Sequence, residues 1–321
     1  MIDAAAGQEH FADHILPIWL ALPEAERGTF YAPSVREGVP NMVRPALPPR
    51  SHRPILVASA GDMKRARNGG RPVALMEHGC GQSFGGDPKA DKFSSYAGHS
   101  GRDDVGMFLH PGNHPAGRDR ARYPKARVEV IGCAKLDGLP RKEKRSGRPV
   151  VCVSFHWQCG IVPETRPAYD AFQHHVMKLA KANDLEVIGH GHPRVIQKLS
   201  QWYRRIGIET VRSFEDVCRR ADVYVNDASS TLFEFASTGR PVVVLNAPRY
   251  RLDVDHGLRF WEASDVGYNV NAGDDLEGII RRALTDPKEQ QAKREAALDL
   301  VYAYRTGGAG RAAAALLDWA A

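Results

Sequence analysis

Residues 222–245 read DVYVNDASSTLFEFASTGRPVVVL. The apolar run Val223–Asn226 predicts a strand, and Val242–Leu245 predicts a second, buried on both faces. Between them a helix is predicted to begin directly after Asp227-Ala228-Ser229-Ser230. A strand, a short polar turn, a helix and another strand form a β-α-β unit, the building block of parallel sheets.

In such sheets ligands lie beyond the carboxyl ends of the strands, where helices start. A helix start offers bare N–H groups and roughly half a positive charge. Asp227, Ala228, Ser229, Ser230 and Thr231 therefore read as a phosphate cradle of backbone donors and hydroxyls. Plain helix capping by Asp227 or Ser229 is the alternative. Glu234 lies four residues after Ser230 and shares its helix face. It is placed to accept from a ribose diol while a diphosphate occupies the helix start. A solvated or salt-bridged carboxylate is the other reading.

The same alternation extends along the chain. Strands are predicted at Ile2–Ala6, Ile55–Ala58, Val73–Met76, Met107–Leu109, Val128–Ile131, Val150–Phe155 and Leu185–Ile188. Residues 136–149, LDGLPRKEKRSGRP, lack apolar periodicity and read as an interdomain linker, with a basic nucleic-acid patch as the sharper alternative. The expected organisation is a first Rossmann-like domain over 1–137, a linker over 138–149 and a second Rossmann-like domain over 150–308. A terminal helix over 309–321 is expected to pack back on the first domain.

The 321 residues are 43% hydrophobic and 26% charged, the balance of an ordinary globular protein. No stretch approaches the ~20 apolar residues of a membrane span, and the N-terminus lacks the pattern of a signal peptide. A cytoplasmic location is the expectation. Five scattered cysteines form no CxxC pair, which argues against a disulfide framework or zinc site. The net charge of +6 favours anionic partners without choosing among them.

Two further strand ends carry chemistry. EVIGHGHPR places His190, His192 and Arg194 directly after Leu185–Ile188, where imidazole and guanidinium suit phosphate oxygens. In VALMEHGCGQSFGG the strand Val73–Met76 runs into Glu77-His78-Gly79 and a glycine-rich loop with Gly81, Gln82 and Ser83. His78 is a candidate general base, and the loop a candidate acceptor-side element. His14, four residues after His10 on the first helix, is a secondary candidate. Neither HxH nor HxxxH brings enough ligands for a metal, so none is expected.

Taken in order, these motifs resemble the GT-B class of nucleotide-sugar transferases, and more closely its CDP-glycerol glycerophosphotransferase branch. Glu77-His78-Gly79 matches a strand ending in His-Gly. IGCAKLD, residues 131–137, is similar to a Gly-x-Pro-[Arg/Lys]-x-Asp linker, with Ala134 in place of the proline. VCVSFHWQ resembles a strand ending in aromatic residues, and His192-Pro193 a His-Pro element. Asp227-Ala228-Ser229-Ser230…Phe233-Glu234 resembles Asp-Tyr-Ser-Ser…Phe-Glu, with Ala228 where tyrosine is usual. The Thr-Pro-Leu-Lys that often follows His-Gly is replaced by Cys80-Gly81-Gln82-Ser83. UDP-N-acetylglucosamine 2-epimerases share the general architecture.

The resemblance implies an α/β protein with two Rossmann-like domains facing a central cleft. It implies Ser229 and Ser230 on a donor diphosphate, Glu234 on the ribose, His192 and Arg194 as neutralising groups, and His78 as base or phosphate ligand. The expected activity is metal-independent transfer of a sugar from a nucleotide-diphosphate donor to an acceptor hydroxyl, with no cofactor beyond the donor. Alternatives are a CDP-polyol phosphate transferase, a nucleotide-sugar 2-epimerase-like enzyme and a non-catalytic nucleotide- or polymer-binding module. The acceptor stays open among polymer, glycan, protein and modified nucleic acid.

Overall fold

The computed structural model describes residues 1–45, 48–81, 101–140, 147–158, 168–248 and 265–321. The chain forms two compact units. One comprises Met1–Cys80, Asp87–Gly138 and Leu300–Ala321, and the other Gly81–Gly86 and Leu139–Asp299. Each is built on one all-parallel sheet, so the protein is α/β with two Rossmann-like domains.

In the first unit β1 (Ile2–Ala5) leads into α1 (Glu9–Ala21), β2 (Arg27–Tyr31) and β3 (Met42–Val43). Then come β4 (Ile55–Val57), α2 (Ala60–Asn68), β5 (Val73–Met76), β6 (Met107–His110), α3 (Asn113–Arg122) and β7 (Arg127–Val130). The sheet order is β3-β2-β1-β4-β5-β6-β7. β1, β4, β5 and β6 are buried along their whole length, the signature of strands covered by helices on both faces. In α1 the buried residues Phe11, His14, Ile15, Ile18 and Trp19 follow the helical period and form one face. The chain changes direction across the sheet between β1 and β4. There Gly7 donates its N–H to the Asp62 carboxylate, which the Ser59 hydroxyl also holds.

The second unit runs β8 (Val150–Phe155), α4 (Ala168–Leu179), β9 (Glu186–Gly191), α5 (Ile196–Arg205), β10 (Glu209–Thr210) and α6 (Phe214–Arg220). It continues through β11 (Val223–Asn226), α7 (Thr231–Ala236), β12 (Val242–Leu245), β13 (Tyr268–Val270), α8 (Leu276–Leu284) and all but the last two residues of α9 (Lys288–Val301). Its sheet order is β10-β9-β8-β11-β12-β13, which puts the topological switch between β8 and β11.

β9 differs from the sequence expectation. It extends to Gly191, so His190 lies within the strand and not in a loop after it. A Cβ at Gly189 would overlap the Tyr203 ring, and one at Gly191 would overlap Leu199. These glycines are strand residues against which α5 packs closely. His190 is buried, and its Nδ1 lies 2.8 Å from the Val211 carbonyl, a structural tie to the β10 side of the sheet.

The C-terminal helix α10 (Gly308–Ala320) belongs to the first unit. Ala312, Ala313 and Leu316 enter the same core as Ile15, Ile18 and Ile2. Asp137, in the turn after β7, accepts from Gly307 N–H at 2.6 Å and Ala309 N–H at 2.8 Å, which caps the helix start.

Candidate functional site

The second unit gathers polar residues where β9, β8 and β11 end side by side. At the switch point Asp227 is buried, and its Oδ1 accepts from His156 N–H at 2.8 Å and Ala228 N–H at 2.9 Å. One carboxylate thus ties the end of β8 to the turn that follows β11. His192 extends the ladder by donating its backbone N–H to Phe155 at 3.0 Å. Its Nδ1 accepts from Arg194 N–H at 3.2 Å, so a proton on the neutral ring sits on Nε2. The His156 and His192 rings are 4.9 Å apart, edge to face. The Arg194 guanidinium lies 4.2 Å over the Trp157 ring, a cation–π contact that steadies an otherwise exposed side chain.

In the turn itself the expected backbone cradle is largely occupied. Asn226 Oδ1 accepts from Ala228 N–H at 3.1 Å and Ser229 N–H at 3.0 Å. Thr231 N–H bonds Ser229 Oγ at 3.3 Å, and Thr231 Oγ1 lies 2.9 Å from the Tyr224 hydroxyl. Ser230 Oγ donates to Glu234 Oε1 at 3.2 Å, with Glu234 fully buried. The one-face relation between Ser230 and Glu234 read from their spacing is therefore present as a direct bond. A solvated Glu234 is not what the structure holds. α7 has only six residues, which limits the dipole it can offer.

In the first unit, His78 follows β5 and meets the helix that leaves β1. Its ring centroid is 6.4 Å from His10, 6.0 Å from His14 and 4.7 Å from Phe11. Burial, then His10, Arg102 and Lys135, push His78 down to about 3 against the opposing effect of its hydrogen bond to the Ala58 carbonyl. Burial, followed by Lys135, His78 and His10, likewise holds His14 well below the usual imidazole range. Both rings are neutral at pH 7, the form a base requires, though such a ring holds a proton weakly. Among the described residues no group of three or more His, Cys, Asp or Glu is arranged to hold a metal ion.

Beside His78, Glu77 turns to the other side of β5. His110 Nδ1 lies 2.7 Å from Glu77 Oε2, and its Nε2 2.7 Å from Asp119 Oδ2, all three side chains buried. Burial pulls His110 down, but the hydrogen bonds to Asp119 and Glu77 outweigh it and raise the ring to about 9. Gly79 is buried, and Gly81 has φ +71°, a conformation suited to glycine. Gln82 and Ser83 lie outside the described residues.

The sequence reading did not list His156, Trp157 or Asn226 as site residues. His156 and Trp157 stand at a strand end, the position rule that selected His192 and Arg194. Asn226 is the last residue of an apolar strand and carries no loop signal.

Residues 165–316 match the family model of the CDP-Glycerol:Poly(glycerophosphate) glycerophosphotransferases. Over that span the chain resembles the CDP-glycerol glycerophosphotransferases. The match supports a nucleotide-donor-dependent transferase, and the matched span carries His192, Arg194 and the 226–234 segment.

Among solved structures it is similar to an S. aureus MnaA–UDP co-structure, with 14% identity, TM-score 0.59, and coverage of 98% of this chain and 94% of that one. A putative UDP-N-acetylglucosamine 2-epimerase from Listeria monocytogenes gives 15% identity, TM-score 0.59 and the same coverage. A variant of the wall teichoic acid polymerase TagF with CDPG gives 12% identity, TM-score 0.63, and coverage of 99% of this chain and 87% of that one. At these identities the likeness is one of fold. No curated protein matches the chain. No described helix is long and apolar enough to cross a membrane.

Proposed function

We propose that this protein transfers a sugar from a nucleoside-diphosphate donor to an acceptor hydroxyl. The observation that carries the reading is the convergence of His192, Arg194, His156, Trp157 and the 227–231 turn at the C-terminal edge of β9, β8 and β11. A basic, aromatic and hydroxyl-rich strand edge at a topological switch suits a nucleotide with a charged diphosphate.

In this reading the bond between the anomeric carbon and the diphosphate oxygen breaks, and the acceptor oxygen bonds that carbon. The leaving nucleoside diphosphate gains charge, which Arg194 and His192 stabilise. The acceptor proton passes to a base, for which His78 is the candidate of the first unit. Ser229 and Ser230 serve the diphosphate, and Glu234 serves the ribose. Neutralisation by side chains predicts turnover in the presence of a chelator.

A second reading has its own support in the matched family model: transfer of a polyol phosphate from a CDP-polyol. There the bridging P–O bond of the diphosphate breaks and a nucleoside monophosphate leaves. Ala228 and Cys80-Gly81-Gln82-Ser83, which replace the tyrosine and lysine-bearing segments usual in that branch, favour sugar transfer.

Product analysis decides between the two. A nucleoside diphosphate released in step with acceptor modification supports sugar transfer, and a monophosphate supports polyol-phosphate transfer. Release of free sugar and diphosphate without an acceptor points to epimerase-like chemistry, and binding without turnover to a binding module.

A further inference from the structure

Asn226 ends β11 with both sides of its amide bonded. Oδ1 accepts from Ala228 N–H and Ser229 N–H at 3.1 and 3.0 Å, while Nδ2 donates to the Tyr224 hydroxyl at 3.3 Å. Two N–H donors on one side fix which atom is oxygen, because the NH2 group could not face them. The Tyr224 hydroxyl also pairs with Thr231 Oγ1 at 2.9 Å. Asn226 thereby links the last strand residue, the 228–229 turn and the first residue of α7 in one buried network.

The charge state of this link matters as much as its shape. The turn already carries the Asp227 carboxylate, whose Oδ1 takes Ala228 N–H at 2.9 Å and His156 N–H at 2.8 Å. Glu234 lies one helical turn further on. An aspartate at 226 would satisfy the same two N–H groups but would place another negative charge where a diphosphate is to bind. Asparagine supplies the acceptor without the charge. Alanine would leave the part-buried Ser229 N–H without its acceptor and Ala228 N–H with Asp227 Oδ1 alone, and a lost acceptor inside the fold is costly.

We infer that Asn226 is a positioning and selectivity residue of the donor site, shaping the 227–231 turn with a neutral acceptor so that an anion is admitted beside it. This rests on the donor-site reading above and adds a requirement that the reading does not contain: neutrality at 226, separable from the requirement for a hydrogen-bond acceptor.

The test titrates UDP and CDP, with EDTA present, into wild type, Asn226→Asp, Asn226→Ala and Asn226→Ser, and records Tm for each. Asp is expected to keep more of the wild-type Tm than Ala does, yet to bind the diphosphate at least tenfold more weakly than wild type and more weakly than Ala. Ser, with a shorter neutral oxygen, is expected to stay within about threefold of wild type, which keeps the test open if the Asp variant does not fold. Wild-type affinity in Asp, an affinity order that simply follows Tm, or a tenfold loss in Ser would overturn the inference while leaving the donor site standing. Failure of wild type to bind either diphosphate would instead sink the donor-site reading, and the inference with it.

Discussion

Glu77 Oε2 lies 2.7 Å from His110 Nδ1, with both side chains shut away from solvent. Asp119 holds the opposite ring nitrogen at the same distance, so the imidazolium is bracketed by two carboxylates. The ring's proton is thus part of the fold. Its pKa is raised to about 9 from an ordinary value near 6.5. A base raised in the folded state contributes stability that is complete below pH 6.5 and lost as pH climbs through 9. Replacing His110 by Gln would leave two buried carboxylates without their counter-charge, at a cost of about 3 kcal/mol near pH 6. Urea unfolding at pH 6 and pH 9.5 is expected to give a wide gap between the two proteins at the lower pH and a narrower one at the higher. An equal gap at both would contradict the charged triad.

His78 and His14 have the opposite sign. Their folded pKa values are depressed, so the unfolded chain takes up protons below pH 6.5 that the folded chain refuses. Stability should fall with pH from about 6.5 downward, and a His14→Phe or His78→Phe variant that folds should lose less on that descent. For catalysis, His78→Ala is expected to lower kcat by about 100-fold or more with nucleotide affinity unchanged. In the wild type, kcat/KM should show no break near pH 6.5 from this group. Such a break, abolished by the substitution, would contradict a neutral buried ring.

Arg194 and Trp157 form one unit at the ends of β8 and β9. Trp157→Ala is expected to release the guanidinium and weaken nucleotide binding by about tenfold, comparable to losing a cation–π contact of ~1 kcal/mol together with its orientation. Arg194→Lys keeps the charge but loses the planar stacking and should not restore affinity. Calorimetric titration of the two variants checks both statements.

Asp137 accepts two N–H groups at the start of α10. Asp137→Ala should cost ~1 kcal/mol of stability, in the range of a lost helix cap. Amide exchange should quicken at Ala309–Arg311 before it does in β1 or β4. Unchanged exchange there would assign the hold on α10 to Ala312, Ala313 and Leu316 alone.

The central strands were legible because burial on both faces leaves unbroken apolar runs: Val73–Met76, Val150–Phe155, Val223–Asn226 and Val242–Leu245 are strands as read. The strands β2, β3, β10 and β13 were not. β2 alternates buried and half-buried positions in Arg27–Tyr31, and β3 and β10 are two residues each, too short to carry a period. Gly189 and Gly191 misled in a specific way, since glycine reads as a break whereas here it makes room for Tyr203 and Leu199.

At the strand ends, sequence position named His192, Arg194 and the 227–234 segment, and the structure brings them to one sheet edge. It could not reveal that Asn226 already occupies the turn's amides, because that depends on where one side-chain oxygen lies. Nor could it reveal that Glu234 is buried. His10, His14 and His78 come from two separate segments, and only the packing of α1 beside the β5 end puts the His10 and His14 rings within 6.4 Å of His78.

The most direct test of the donor site is calorimetric titration of UDP, CDP, GDP, ADP and TDP into wild type and Arg194→Ala, with EDTA present throughout. One nucleoside diphosphate should bind the wild type without metal and lose at least tenfold in affinity in the variant. No binding by any of the five, or equal binding by both proteins, would contradict a donor site at the ends of β9, β8 and β11.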